Sequence, residues 1–246
     1  MMGKGKLLVL SLPLLMAACG QSTTPPATTP GDTPIATAPS PEPGTQTMAG
    51  GKTLRETLQE PGWVQTSEGF WERTTEQGHE SIYMGANGAK RALLQRQAIQ
   101  AKMLETAPAA ERGKMQARFD AQNAPLARAA NTINTSQPSL GTQSIDQCTH
   151  DQSIQRLTSQ AGIKATAWMN CPGSYHPRAG AEAHSNYGSN YGNPTQSSTS
   201  ASAFASIQGT SNCNAYAFSE AVDFWGYRVG RQRSGYGCYG VTYNPY

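Results

Sequence analysis

The chain has 246 residues, a net charge of +3, 14% charged and 37% hydrophobic side chains, 25 glycines and 16 prolines. Its composition excludes a charged, fully disordered chain, and a mean hydropathy of −0.53 excludes a bundle of membrane-spanning helices. The near-balanced charge excludes a strongly basic nucleic-acid binder, so no nucleic acid is expected as a partner.

Lys4 and Lys6 form a short positive region, and Leu7 to Met16 is apolar apart from Ser11 and Pro13. A run of this length is about half of what a helix needs to cross a bilayer, so residues 1–18 read as a signal peptide. Leu15-Met16-Ala17-Ala18-Cys19 resembles the lipobox of bacterial lipoproteins, with Met16 where that pattern prefers leucine. The resemblance implies cleavage before Cys19, diacylglycerol on its thiol and an acyl chain on its amine. The chain would then be lipid-anchored on the outer side of the cytoplasmic membrane or on the outer membrane. Without Lys4 and Lys6, 17 basic side chains face 16 acidic ones, and no electrostatic partner is expected at the anchor.

Residues 19–50 read as a tether. They hold Pro25, Pro26, Pro30, Pro34, Pro39, Pro41 and Pro43, and Ile35 and Met48 are their only large apolar side chains. Such a segment buries too little surface to offset its backbone entropy, and proline keeps it extended, with a reach of roughly 100 Å.

Residues 51–130 predict a mixed strand and two-helix segment. Short strands are expected at 63–64, 69–73 and 80–84, and glycines at 85 and 88 break the pattern. Good helix formers fill 89–105, with a weak apolar stripe. A second helix is expected over 108–123, capped by Thr106, begun by Pro108 and ended or kinked by Pro125, with Met115 and Phe119 on one face. Residues 81–138 carry a net charge of +5, read here as a solvated helix face, and 131–143 read as a second linker.

Residues 144–246 predict a mainly antiparallel β domain, which makes the fold class α+β. Ala201, Ala203, Ala205 and Ile207 alternate with Ser200, Ser202, Phe204 and Ser206. Ala179, Ala181 and Ala183 alternate with Gly180, Glu182 and His184, and Ala165 and Ala167 precede Trp168. A period of two argues strands, and small faces let two sheets approach closely. A short helix is expected over 154–161, through Ile154 and Leu157. The repeat Asn186-Tyr187-Gly188-Ser189-Asn190-Tyr191-Gly192-Asn193 reads as a turn or hairpin loop. Aromatic residues crowd the end of the chain, at Phe224, Trp225, Tyr227, Tyr236, Tyr239, Tyr243 and Tyr246, interleaved with Arg228, Arg231 and Arg233. Phe218, Phe224 and Trp225 are expected in the core. Tyr187, Tyr191 and Tyr246 are expected exposed, and with the three arginines they are the candidate binding residues.

Cys148, Cys171, Cys213 and Cys238 make an even count in an exported chain, which implies two disulfides. Three pairings are possible, and the spacings put Cys148–Cys171 and Cys213–Cys238 first. No Cys-x₂-Cys or His-x₃-His spacing occurs, so no metal is expected at Cys148, His150, His176 and His184; these histidines read as solvent-facing. The stretch from Asn212 through Cys213 to Phe218 is similar to the cysteine-led segment of cell-wall amidases of the CHAP type. That resemblance implies a nucleophilic Cys213 opening a helix, which lowers a thiol pKa. Those enzymes place their base histidine after the cysteine, and here no histidine follows His184. Glu220 and Asp223 are three residues apart but carry no other sign of a catalytic pair, and no hydrolase, metalloprotease, Walker or dinucleotide motif occurs. No catalytic residue and no cofactor is expected. The expected function is that of a lipid-anchored envelope protein whose exported β domain acts as a binding or structural module, with an envelope polysaccharide or another envelope protein as its expected partner. The alternative is an envelope hydrolase acting on peptidoglycan or protein through Cys213 or a carboxylate.

Overall fold

The computed structural model describes residues 51–76, 78–131, 147–157, 161–172, 175–192, 194–222 and 228–238. The signal peptide, Cys19, the tether and residues 132–143 of the expected linker lie outside them.

The alanine alternation builds two antiparallel sheets. One runs in the order β1 (Lys52–Thr53), β5 (Thr149–Arg156), β6 (Gly162–Asn170), β10 (Ser200–Gln208) and β9 (Thr195–Gln196). The other runs β2 (Val64–Ser67), β3 (Phe70–Thr75), β4 (Gly78–Met84), β12 (Arg228–Tyr236), β11 (Asn214–Val222), β7 (His176–Ser185) and β8 (Gly188–Tyr191). They pack face to face over Ala165, Ala167, Ala201, Ala203 and Ala205 from one sheet and Ala179, Ala181, Ala183, Ala215 and Ala217 from the other. Alanine is a poor strand former, so burial against the partner sheet holds these strands in place.

Helices α2 (Gly85–Thr106) and α3 (Ala109–Asn131) cover the opposite face of the seven-stranded sheet. Met103, Met115 and Phe119 pack on Tyr216 and Phe218, while Ala89, Ala92 and Leu126 pack on Phe70 and Tyr83. The layers are therefore helix pair, seven strands, five strands. A short helix, α1 (Leu54–Leu58), carries a capping box between Thr53 and Glu56. Among the described residues no helix is long and apolar enough to cross a membrane.

The segments 51–130 and 144–246, whose relation the sequence leaves open, contribute strands to the same two sheets: β4 pairs with β12, and β1 with β5. Where a helix is expected over 154–161, residues 154–156 are instead the end of β5, with Ile154 in the core beside Ala165 of β6, and residues 158–160 lie outside the described residues. The break expected at 85–88 is the first turn of α2. Glycine is required there because a Cβ on Gly88 would lie 2.1 Å from the carbonyl oxygen of Gly69 in the β2–β3 turn. Pro125 lies inside α3 rather than ending it. Burial of Leu126 and Ala129 beyond it outweighs the cost of about 3 kcal/mol that an interior proline imposes. Thr106 closes α2, its hydroxyl donating to the carbonyls of Lys102 and Met103, and does not cap α3.

Both disulfides form, as Cys148–Cys171 and Cys213–Cys238. Each joins the open ends of one antiparallel pair, β5 with β6 and β11 with β12. Closing loops of 23 and 25 residues stabilises each by about 3 kcal/mol in the chain-entropy picture, an important supplement to a core of alanines.

Candidate functional site

The three arginines expected among surface aromatics point inward. β12 is covered on one side by the five-stranded sheet and on the other by α2, so its long side chains must find buried partners. On the inter-sheet side, Arg231 and Arg233 bind Glu80 of β4 at 2.6 and 3.2 Å. Arg73 of β3 joins them at 3.1 Å and also pairs with Glu60 at 2.7 Å, its guanidinium 4.5 Å from the Trp63 ring centroid. Burial would raise the Glu80 pKa, but Arg231, Arg233 and Arg73 bring it below the usual carboxylate range.

On the helix side of the same sheet lies a second carboxylate. Glu220 accepts from Arg178 at 2.8 Å and Arg228 at 3.0 Å on Oε1. On Oε2 it accepts from the Tyr83 hydroxyl at 2.5 Å and from Arg96 at 3.4 Å. Glu220, Gly230 and Tyr83 stand opposite one another on β11, β12 and β4. Only glycine leaves room between them, since a Cβ on Gly230 would sit 2.5 Å from the Tyr83 ring. Burial would raise the Glu220 pKa; Arg96, Arg228, Arg178 and the Tyr83 hydrogen bond overcome this and hold it down at about 2. Arg96, fully buried rather than on a solvated helix face, lies 4.2 Å from the Phe218 ring centroid. From Arg96 the network continues through Gln232 to Gln95, which donates to Glu72 at 2.8 Å beside His79. A polar chain thus runs across the sheet from β7 to β3 beneath α2.

The chain matches no family model, no curated protein and no solved structure.

Function must therefore be sought in the exposed chemistry. Among the described residues, no helix or second sheet packs over the outer face of the five-stranded sheet. There the register places Asp151, Trp168 and Ser202 in one row, Ser153, Thr166 and Phe204 in the next, then Gln155, Lys164 and Ser206. Phe204 is 42% exposed, with the Lys164 ammonium 5.6 Å from its ring centroid. Trp168 is half-buried because Gly51 lies flat on its ring. The Phe204 side of this face follows from the alternation along β10. Trp168 carried the same signal, since it alternates with Ala165 and Ala167.

Tyr187 and Tyr191 are exposed, at 67% and 46%, as expected. They do not form one row with Phe204. Tyr187 sits in the β7–β8 turn, and Tyr191 faces the helix layer with Arg118 4.2 Å from its ring centroid, beside Glu182. Burial raises the Glu182 pKa against the pull of Arg118 and Gln122. Tyr246, Phe224, Trp225, Tyr227, Tyr239, Tyr243 and Asp223 lie outside the described residues. Phe218 is in the core, as expected.

Two of the histidines are not solvent-facing. His150 is buried between the sheets and His184 beneath the α2–α3 turn; only His176 is exposed. Cys148 and Cys213 are both spent in disulfides. Cys213 leads into strand β11, not into a helix, so the activated thiol implied by the amidase resemblance is missing from this arrangement.

Proposed function

We propose that the protein is a lipid-anchored cell-envelope protein whose folded unit binds a hydroxyl-rich envelope polysaccharide on the open face of the five-stranded sheet. The observation that carries this reading is the exposed Phe204 ring, one row from the half-buried Trp168 and set among hydroxyl and amide side chains on a disulfide-stapled sheet face left open among the described residues. Ring faces offer an apolar surface to the C–H face of a sugar, and the flanking Ser153, Thr166, Ser202 and Gln155 supply hydrogen bonds to its hydroxyls. A rigid sheet holds these groups in place before binding, which limits the ordering cost. The lipobox-like run ending at Cys19, followed by a proline-rich tether, supports an anchored unit held away from the membrane. A hydrolase acting through Cys213 would first need its bond to Cys238 opened.

Binding to peptidoglycan sacculi and to insoluble neutral glucans tests the face. Phe204→Ala is expected to weaken binding by at least about tenfold, the scale of one lost aromatic contact of ~1.4 kcal/mol. Tyr187→Ala, at the end of the sandwich, is expected to have a smaller effect. Equal binding by wild type and Phe204→Ala would refute the assignment. For the anchor, the intact mass of the unreduced protein, alkylated in denaturant, is expected to begin at Cys19 with lipid and no alkyl groups. An unlipidated mass would sink the anchor, and added alkyl groups would mean free thiols.

A further inference from the structure

The two buried carboxylates on opposite faces of the seven-stranded sheet provide an internal comparison. Each gathers three guanidinium groups. Around Glu80 the excess of positive charge is reduced, because Arg73 also holds Glu60 at 2.7 Å. Around Glu220 it is not. Among the described residues the only carboxylate paired with Arg96, Arg178 or Arg228 is Glu220 itself. Buried guanidinium nitrogens without a hydrogen-bond partner occur in both clusters, the Nε of Arg231 beside Glu80 and the Nε of Arg228 and Nη1 of Arg96 beside Glu220, so the difference between them is the counter-charge. Buried cations need counter-charge and buried N–H groups need acceptors, so among the described residues this cluster is short of one anion.

The surroundings show where one fits. Arg178 and Arg228 donate to the same oxygen of Glu220, so their guanidinium groups stand side by side. The Arg228 side chain is 8% exposed and that of Arg178 is 26% exposed, which opens the pair to solvent from the Arg178 side. His176, exposed, stands in the row of Arg228 and one row along from Arg178. Met84 pairs with Val229, so α2 begins at this same end of the sheet, and it has no acidic residue in its first turn. A second carboxylate at that end, Glu68 of the β2–β3 turn, accepts from Asn87 of α2 at 2.7 Å and pairs with neither Arg178 nor Arg228.

We infer that Arg178 and Arg228 form a binding site for a phosphate- or sulfate-type oxyanion, free or carried on a polymer. Guanidinium forks match such oxygens in pairs, which a single monatomic ion cannot exploit. The site is separate from the sheet face proposed above, so the two readings can fail independently.

The test follows thermal unfolding of the full chain in detergent by tryptophan fluorescence, replacing sodium chloride with sodium phosphate or sulfate at constant ionic strength. Both anions raise the stability of many proteins without binding, so the expected signature is a rise that saturates and that depends on Arg178. In Arg178→Gln the half-saturating concentration is expected to increase at least about tenfold, with Arg178→Lys in between, because lysine keeps the charge and loses the fork. Arg178 is partly exposed and Glu220 keeps two other arginines, so these variants are expected to fold. A dextran sulfate that saturates at lower sulfate concentration than free sulfate would identify a polymer-borne group, and neutral dextran is expected to do nothing. An unsaturable rise, a rise unchanged in Arg178→Gln, or an equal response to neutral dextran would overturn the inference. So would a response that emerges only in Asp223→Asn, which would make Asp223 the counter-charge.

Discussion

Glu220→Gln is expected to lower the unfolding free energy by about 3–5 kcal/mol at pH 7, read by denaturant titration, the scale on which removing one partner strands buried charges. The amide nearly preserves the volume of the carboxylate, so the loss reports charge rather than a cavity. It still offers one oxygen to Tyr83, but Arg96, Arg178 and Arg228 keep their charges with no counter-charge among them. Its added NH₂ group then faces two donors, Arg178 and Arg228, and no acceptor. Arg96 suffers most, being fully buried on the Phe218 ring with one nitrogen already unpartnered. Adding Arg96→Met should therefore recover part of the loss. The carboxylate's own pH dependence has a definite sign. Its folded pKa of about 2 lies below the unfolded value, so its contribution is full above about pH 4.3 and disappears as pH falls toward 2. A loss in Glu220→Gln below about 1 kcal/mol, the level of an exposed pair, would mean that water reaches the cluster and that the charges are not stranded.

The parts of this architecture legible from sequence are those where one strand face is alanine. Along β10 and β7 every second residue is small and apolar, and those residues do face the partner sheet. The signal fails where the inward face is polar. On β5 the buried residues are His150, Gln152 and Ile154, so no apolar alternation appears, and the three-residue step from Ile154 to Leu157 imitates a helix. It fails again on β12, where Arg228, Arg231 and Arg233 look like a solvated charge run. Their partners are set by pairing across long sequence distances: Arg231 meets Glu80 across 151 residues. A strand covered on both faces gives its charges no route to water, and only the three-dimensional pairing shows which carboxylates receive them. The disulfides were readable because each joins neighbours in the chain at the open end of one strand pair. Of the candidate face, Phe204 was placed by its alternation. Arg178 and Glu220 were not, because their meeting depends on the register of β7 against β11.

His150 makes the second large prediction. It sits on the inner face of β5, its Nε2 3.4 Å from the Thr57 hydroxyl and its Nδ1 without a partner. Burial, with the nearby Arg231 cation and against the weaker pull of Glu60, lowers its pKa to about 3. The unfolded chain takes up that proton near pH 6.5 and the folded protein does not. Stability is therefore lost as pH falls below about 6.5, at up to about 1.4 kcal/mol for each pH unit, until the folded form titrates near 3. His184, whose pKa burial also lowers, adds to the same slope. Glu182 opposes it, since a carboxyl whose folded pKa is raised gains stability as pH falls through that value. His150→Gln keeps a neutral polar group at the site and removes the titration. Denaturant unfolding between pH 7 and pH 4.5 is expected to show a slope shallower by nearly one proton in the variant. An unchanged slope would mean that the imidazole is already protonated in the fold, paired by groups other than Thr57, and that the inter-sheet cluster around Glu80 carries more positive charge than its arginines alone supply.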